Sequence, residues 1–518
     1  MLKFLVYKDG QPATEWPLRN CYLIGPDNVG VRGTITFSNG VITCEKRATG
    51  SASFALQYPI DDIGEMTIQT CLLPERDEPY LLSLELARHR IMSLISKQEE
   101  WMMFDLDADH VVTKRLEVAK KRFVEALNEM DLARSHELAC KALTFAADAS
   151  EELALAHAER LINRRISTGL MPRNVFGCQV SLEKHHVESQ RTLIESNFDY
   201  VSLPTRWREL EPQEQEFSWQ PLDSWMEWAV RNHLPILAGP MVSFAPNVVP
   251  DWMYIWEHDY EMVRELLHDY VQQVVRRYRS AVTVWNVASG IHVNRHFKFT
   301  FEQIMDLTRM TLMQTRKIQP NARTIVELTH PFGEYSADNP QSLPPLMFAE
   351  VVLQSGLPVD GFGLKLLMGQ AGDGQYARDL LQISGLLDQF KTLGKPVHIT
   401  AVGVPSESVR QSSDSNSDVA LKSQANSGYW RQLWSPKVQA HWMEAFYNLA
   451  LSRPYVESIS WACLVDHEDA DLPYSGLTNV EFSPKHSLKR LVGMRKNLQN
   501  RLKKADEINS AAEAGSAG

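Results

Sequence analysis

No stretch of this chain of 518 residues approaches the ~20 consecutive apolar residues of a membrane-spanning helix, so a helical membrane protein is excluded and no membrane partner is expected. A basic excess is also missing. Lys and Arg number 53 against 64 Asp and Glu, a net charge of -11, which excludes a protein that coats a duplex by neutralising phosphates; no nucleic-acid partner is expected. Cysteine is sparse. The six residues Cys21, Cys44, Cys71, Cys140, Cys178 and Cys463 form no C-x-x-C pair and have no histidine at zinc-site spacing, so they read as reduced, mostly buried thiols, with neither metal nor cofactor expected. The opening MLKFLVYKDG holds too short an apolar run for a secretory signal, and a cytoplasmic location is the expectation. What is present, 44% hydrophobic and 23% charged residues, is ordinary globular composition. The length suits about three domains or one large barrel with additions. The sequence leaves the oligomeric state open.

Residues 1–104 consist of short apolar runs broken by turn residues. Asn39-Gly40 between two strand-like runs is a strong hairpin signal, Asp9-Gly10 marks another turn, and further runs lie at 53–57, 66–72 and 80–86. A β-sandwich-like domain is expected, of the kind seen in carbohydrate-binding modules. From 105 to 172 apolar residues recur at three- and four-residue steps (Leu116, Ala119, Phe123, Leu127, Met130), then over 138–145 and 153–162, which predicts a connector of two or three amphipathic helices. Over 173–500 strand-like segments at 175–180, 200–203, 236–238, 282–287, 324–328, 361–366, 397–402 and 458–464 alternate with helical patterns. Eight such units predict an α/β fold, a (β/α)8 TIM barrel, with its active site at the carboxyl ends of the strands. The Ser-, Asn- and Asp-rich segment 406–435 reads as an insertion folding over that end, and 501–518 as a flexible tail.

The barrel segment carries NFDYVSLPTRWRELEP over 197–212, PDW over 250–252, VWNV over 284–287, PNA over 320–322, VDGFGL over 359–364 and GKP over 394–396. In these runs and in their order it resembles glycoside hydrolase family 10, whose members are mostly β-1,4-xylanases. The resemblance implies the barrel fold, a place in carbohydrate metabolism and an oligosaccharide or polysaccharide partner. It also implies a retaining mechanism, in which one carboxylic acid protonates the leaving oxygen and a second carboxylate, roughly 5.5 Å away, attacks the anomeric carbon. The family's acid closes a Trp-Asp-Val-Val-Asn-Glu motif, which is matched here by WNVASG over 285–290 and puts Gly290 at the acid position. The nucleophile closes a Thr-Glu motif, matched by Thr400 and Ala401. On this alignment no residue is catalytic by the family mechanism. Arg206 and Trp207 stand for the family's Lys-Trp, and with Asn286 and Trp461 they are candidates for sugar contact.

Other strand-end groups are candidates in their own right. Glu327, Lys365 and Asp466 are polar residues at or beyond the ends of the fifth, sixth and eighth strands. Glu327 and Asp466 would form an inverting pair if ~6.5 to 9.5 Å apart. Against that, a strand-end carboxylate often pairs with a basic neighbour, and the acidic run Asp466, Glu468, Asp469 also reads as a surface loop. Trp430 and Trp434 lie in the polar insertion, where their rings would either stack on a sugar or pack on the barrel rim. Three functions stay open: a saccharide-binding or regulatory pseudo-hydrolase, an active O-glycosyl hydrolase using Glu327 and Asp466, and a structural scaffold.

Overall fold

The computed structural model describes residues 1–47, 49–182, 186–372, 374–408, 427–467 and 469–516, with side chains as far as residue 508. Its first part is built from two main sheets. One holds Tyr80–Leu81, Leu2–Leu5, Val41–Lys46 and Gly33–Ser38 in that spatial order; the other holds Gly64–Gln69, Ser53–Ile60, Tyr22–Ile24 and Gly30–Val31. Ser38 pairs with Val41, so Asn39 and Gly40 alone make the turn, both at positive φ (51° and 74°), the geometry that Asn-Gly favours between right-twisted strands. Phe4 and Phe54, both fully buried, stack across the two sheets at 5.1 Å.

The strand run expected over 80–86 ends at Leu81, and helix α1 (Leu82–Glu100) follows at once. The next helices are α2 (Val111–Asn128) and α3 (Leu132–Ser167); the two patterns at 138–145 and 153–162 merge into the single helix α3. Its 36 residues span about 54 Å at 1.5 Å per residue. Along it Ala139, Ala142, Ala146, Ala149, Ala154 and Ala158 are buried, and these small side chains let neighbouring helices approach closely.

The remainder is a closed barrel of eight parallel strands: β1 (Phe176–Gln179), β2 (Tyr200–Leu203), β3 (Ile236–Ala238), β4 (Val284–Ser289), β5 (Arg323–Thr329), β6 (Gly361–Leu367), β7 (Val397–Gly403) and β8 (Val456–Trp461). The pairing of β1 with β8 and of β3 with β4 completes the ring. Burial on both faces is why these strands read as unbroken apolar runs. Two barrel helices, α4 (Leu380–Phe390) and α5 (Pro436–Ser452), pack on α3, which fastens the helical segment to the barrel wall. The last helix, His486–Ser516, runs through much of the stretch expected to be a tail. Among the described residues no helix is long and apolar enough to cross a membrane.

Candidate active site at the carboxyl end of the barrel

A cavity of about 350 Å³ opens at the carboxyl ends of the strands. Glu327, near the end of β5, is buried and fixed on both oxygens: Ser289 donates its hydroxyl to Oε1 (2.5 Å) and Asn286 donates its side-chain amide to Oε2 (3.0 Å). The strands impose this contact, because Ser289 on β4 lies level with Glu327 on β5. Gly363 is level with Glu327 on the other side, where a β-carbon would come within 3.1 Å of the Glu327 β-carbon, so glycine leaves room for the carboxylate.

The other half of the site is an ionic cluster. Lys365, on β6, donates to Asp471 Oδ2 at 2.5 Å, Asn247 donates to Asp471 Oδ1 at 2.5 Å, and Arg206 lies 3.5 Å from the same Oδ1. Arg206 also pairs with Glu209 at 3.1 Å. Burial works against the charge of Lys365, but Asp471 and Glu327 outweigh it and hold the ammonium above its ordinary pKa. Burial likewise works against ionised Asp471, yet Lys365 and Arg206 keep this carboxyl well below the usual range. His330 behaves oppositely: burial, with Lys365 and Arg295 nearby, lowers it to about 4, so the ring is neutral at pH 7.

Gly290 and Ala401, the two positions that the sequence reading matches to acid and nucleophile, both line this cavity. Gly290 follows β4 with φ +64°, and a β-carbon there would lie 2.6 Å from Thr329 Oγ1. Ala401 is level with Lys365 on the neighbouring strand. Glu327 and Asp471 are the carboxylates among the described lining residues, and each is held by hydrogen bonds or ion pairs. Such an arrangement can orient hydroxyls and carry fixed charge. Among the described residues no cluster of His, Cys, Asp and Glu could hold a metal ion.

Of the sequence candidates, Arg206, Asn286, Glu327 and Lys365 meet in the cavity. The others do not line it, each for a physical reason. Trp207 is buried against Tyr270 and donates to Glu211 at 2.7 Å. Trp461 is fully buried and donates to the Ser475 carbonyl at 2.7 Å. Asp466 is ion-paired with Lys485 at 2.5 Å and accepts from the Gly476 amide. Trp430 belongs to a short strand, Tyr429–Trp430, that adds to the edge of the N-terminal sheet beside Gly64–Gln69, and its indole donates to Glu151 on α3 at 2.7 Å. Trp434 is buried with its indole bonded to the Gly428 carbonyl at 2.9 Å. The described part of the insertion after residue 426 therefore packs on the N-terminal sheet and α3; residues 409–426 of that insertion, and Glu468 of the acidic run, lie outside the described residues.

Sequence reasoning missed Asp471, Asn247 and Arg295. Asp471 lies two residues beyond the acidic run Asp466, Glu468, Asp469 that reads as a surface loop. The usable signal was that Lys365, on an apolar strand, needs an acid to offset its burial.

The sequence profile of Glycosyl hydrolase family 10 matches residues 169–456. Two curated relatives are both named Endo-1,4-beta-xylanase A. The one from Halalkalibacterium halodurans is 22% identical over 221 residues, 38% of this chain and 51% of its own length. The one from Caldicellulosiruptor saccharolyticus is 20% identical over 211 residues, 38% of this chain and 58% of its own. The chain thus spans about half the length of the curated relatives it matches. Similar solved structures include xylanase 10B from Thermotoga petrophila in complex with xylobiose (TM-score 0.46, 16% identity, 65% of this chain and 97% of that one) and native xylanase 10B from Thermotoga maritima (TM-score 0.46, 16% identity, 66% and 99%). With more than half of its residues matched by the family profile, the chain belongs to glycosyl hydrolase family 10.

Proposed function

We propose that this chain holds a saccharide in the barrel mouth without cleaving it by the family's two-carboxylate route, and so acts as a saccharide-binding or regulatory member of its family. The observation that carries this reading is Gly290, whose positive φ and crowding by Thr329 disfavour any side chain at the strand end that the family resemblance matches to its acid. Ala401 at the partner position offers no nucleophile. A cavity of about 350 Å³ lined by Arg206, Asn286, Asn247 and Lys365 supports binding, since fixed polar groups set orientation in such sites. The alternative, hydrolysis by Glu327 with Asp466, is disfavoured because Asp466 is tied to Lys485 and does not line the cavity. A bare scaffold would have no use for an open, polar mouth.

The test pairs two measurements on the full chain. Calorimetry with xylo-oligosaccharides is expected to show saturable binding that weakens in Arg206→Ala, while aryl β-xylosides show no turnover above background. Turnover abolished by Glu327→Gln would replace this reading with the hydrolase, and absence of binding at millimolar oligosaccharide would replace it with the scaffold.

A further inference from the structure

The N-terminal part of the chain reaches the barrel mouth through one buried carboxylate. Glu334, in the short turn that follows β5, is 4% exposed and accepts from three groups: the Arg378 guanidinium and the Asn20 amide (3.3 Å) on Oε2, and the Gly374 backbone amide (2.6 Å) on Oε1. Gly374 and its neighbour Gln375 line the mouth. Arg378 is buried as well and donates to the Tyr22 hydroxyl at 3.0 Å. Asn20 also donates to the Thr67 hydroxyl at 2.8 Å, and the Thr67 backbone amide donates to the Ala377 carbonyl at 2.9 Å. Asn20, Tyr22 and Thr67 thus hold the segment from Gly374 to Arg378 at both side chain and main chain.

Packing repeats the connection. Tyr22, Ile24 and Ala55 of the N-terminal sheet form one apolar cluster with Ala337, three residues beyond Glu334, and Gly30 approaches so closely that a β-carbon there would lie 2.8 Å from the Ala337 amide nitrogen. On the mouth side, Gly374 (φ +74°) rests on His330, where a β-carbon would come within 2.4 Å of the His330 β-carbon, and the Gly369 amide donates to the Gln375 carbonyl at 2.8 Å. His330 lines the same cavity. The segment therefore lies between the N-terminal sheet and the space a ligand would fill. Loops at a barrel rim ordinarily run over the surface and move. Here a buried carboxylate needs all of its donors to offset its desolvation, which fixes the loop before any ligand arrives and removes an ordering cost from binding.

We infer that Asn20, Tyr22 and Thr67 are positioning residues for the barrel mouth: acting through Glu334 and Arg378, they hold Gly374 and Gln375 where a ligand meets them, so that the N-terminal sheet sets the affinity of a site to which it contributes no lining residue. The consequence for affinity rests on the saccharide reading proposed above; the positioning of the rim does not.

The experiment compares the full chain with two variants by hydrogen–deuterium exchange read by mass spectrometry and by calorimetry with xylobiose. Replacing Glu334 or Arg378 would strand a buried charge, so both stay. Asn20→Gly removes the amide and suits the positive φ of residue 20 (45°), and Tyr22→Phe removes the hydroxyl while keeping the ring in its cluster. In each variant the peptide carrying Gly374 and Gln375 is expected to exchange at least tenfold faster and xylobiose to bind at least fivefold more weakly, while the peptide carrying β2 exchanges as in the parent and melting stays within a few degrees. Thr34→Ala, on the exposed edge strand Gly33–Ser38, is expected to change none of these. Unchanged exchange at Gly374 in both variants would overturn the inference, as would faster exchange spread equally to β2, the mark of plain domain packing. Faster exchange at Gly374 with xylobiose affinity equal to the parent's would overturn the link to the ligand. A parent chain that binds no xylobiose at millimolar concentration would end the saccharide reading alone, and the exchange measurement would still decide the positioning role.

Discussion

Gly290 shows how one backbone position limits the side chain it can carry. A left-handed φ costs an ordinary residue roughly 1–2 kcal/mol, and here a β-carbon also meets Thr329 Oγ1 at 2.6 Å. Placing a carboxylate there by Gly290→Glu is therefore expected to lower stability by about 2 kcal/mol or more, and Gly290→Glu with Ala401→Glu is expected to hydrolyse no aryl β-xyloside. Urea unfolding and a chromogenic assay measure the two effects; an active, fully stable double variant would show that the strand end relaxes freely. Lys365 and Asp471 give a second prediction at this scale. Their side chains are 25% and 22% exposed, so the pair is partly screened, and Lys365→Met is expected to cost about 1–3 kcal/mol by leaving Asp471 to Arg206 and Asn247 alone. Asp471 titrates lower in the folded chain than in the unfolded one, so its contribution is complete above pH ~3.9 and is lost as pH falls through the folded value. The parent minus Lys365→Met stability difference should hence be flat from pH 8 to 5 and shrink below 4.

At the scale of elements, the strand Tyr429–Trp430 determines what the insertion after β7 does. It extends the N-terminal sheet, and Arg431 beside it pairs with Asp148 at 2.8 Å and with buried Glu151 at 2.6 Å. Trp430→Ala is expected to cost about 3 kcal/mol or more, as truncation of a buried aromatic does, and to leave saccharide affinity at the barrel mouth unchanged. A stable variant with weakened oligosaccharide binding would put the ring back at the ligand. The sequence could not reveal this placement, because the partners of Trp430 are Glu151, 279 residues away, and a strand edge near residue 65. The barrel strands were legible for the opposite reason: each is a contiguous apolar run between helical patterns, a purely local signal. Helix α1 was hidden because its buried face carries Ser83, Glu85 and Arg90, which break the apolar stripe; Arg90 is satisfied by Asp379, 289 residues on. The site divides in the same way. Asn286, Glu327 and Lys365 stand at strand ends that the local pattern locates, whereas Asp471 joins them through a loop whose path depends on tertiary packing.

The whole molecule is expected to respond to mild acid through histidines that folding keeps neutral. His157 on α3 stacks on Trp101 at 4.4 Å, His292 after β4 stacks on Phe348 at 5.2 Å, and His398 on β7 shares a hydrogen bond with Ser458 at 2.8 Å. Burial lowers His157 and His398 to about 4 and His292 to about 3; nearby Arg453 adds to the effect at His157. In the unfolded chain each returns to ~6.5. At pH 7 both states are largely neutral, and these groups contribute little pH dependence. Below pH 6.5 the unfolded chain takes up protons that the native one refuses, so stability falls with pH until the folded values near 4 and 3 are reached, and then levels. Each such histidine contributes a slope of up to about 1.4 kcal/mol per pH unit in that window, and three together about 4. Against a total stability of ~5–15 kcal/mol, urea midpoints should drop steeply between pH 6.5 and 4.5, before the carboxylates begin to protonate. The three histidines sit in the helical segment, at the barrel mouth and within the barrel wall, so fluorescence and circular dichroism should report one concerted loss. His157→Phe keeps a ring on Trp101 and removes one of these titrating groups, and is expected to make the slope shallower, though not to abolish it, because His330 and His89 are lowered to about 4 as well; a midpoint that does not change from pH 7 to pH 5 in the parent chain would show that these rings accept protons in the folded state.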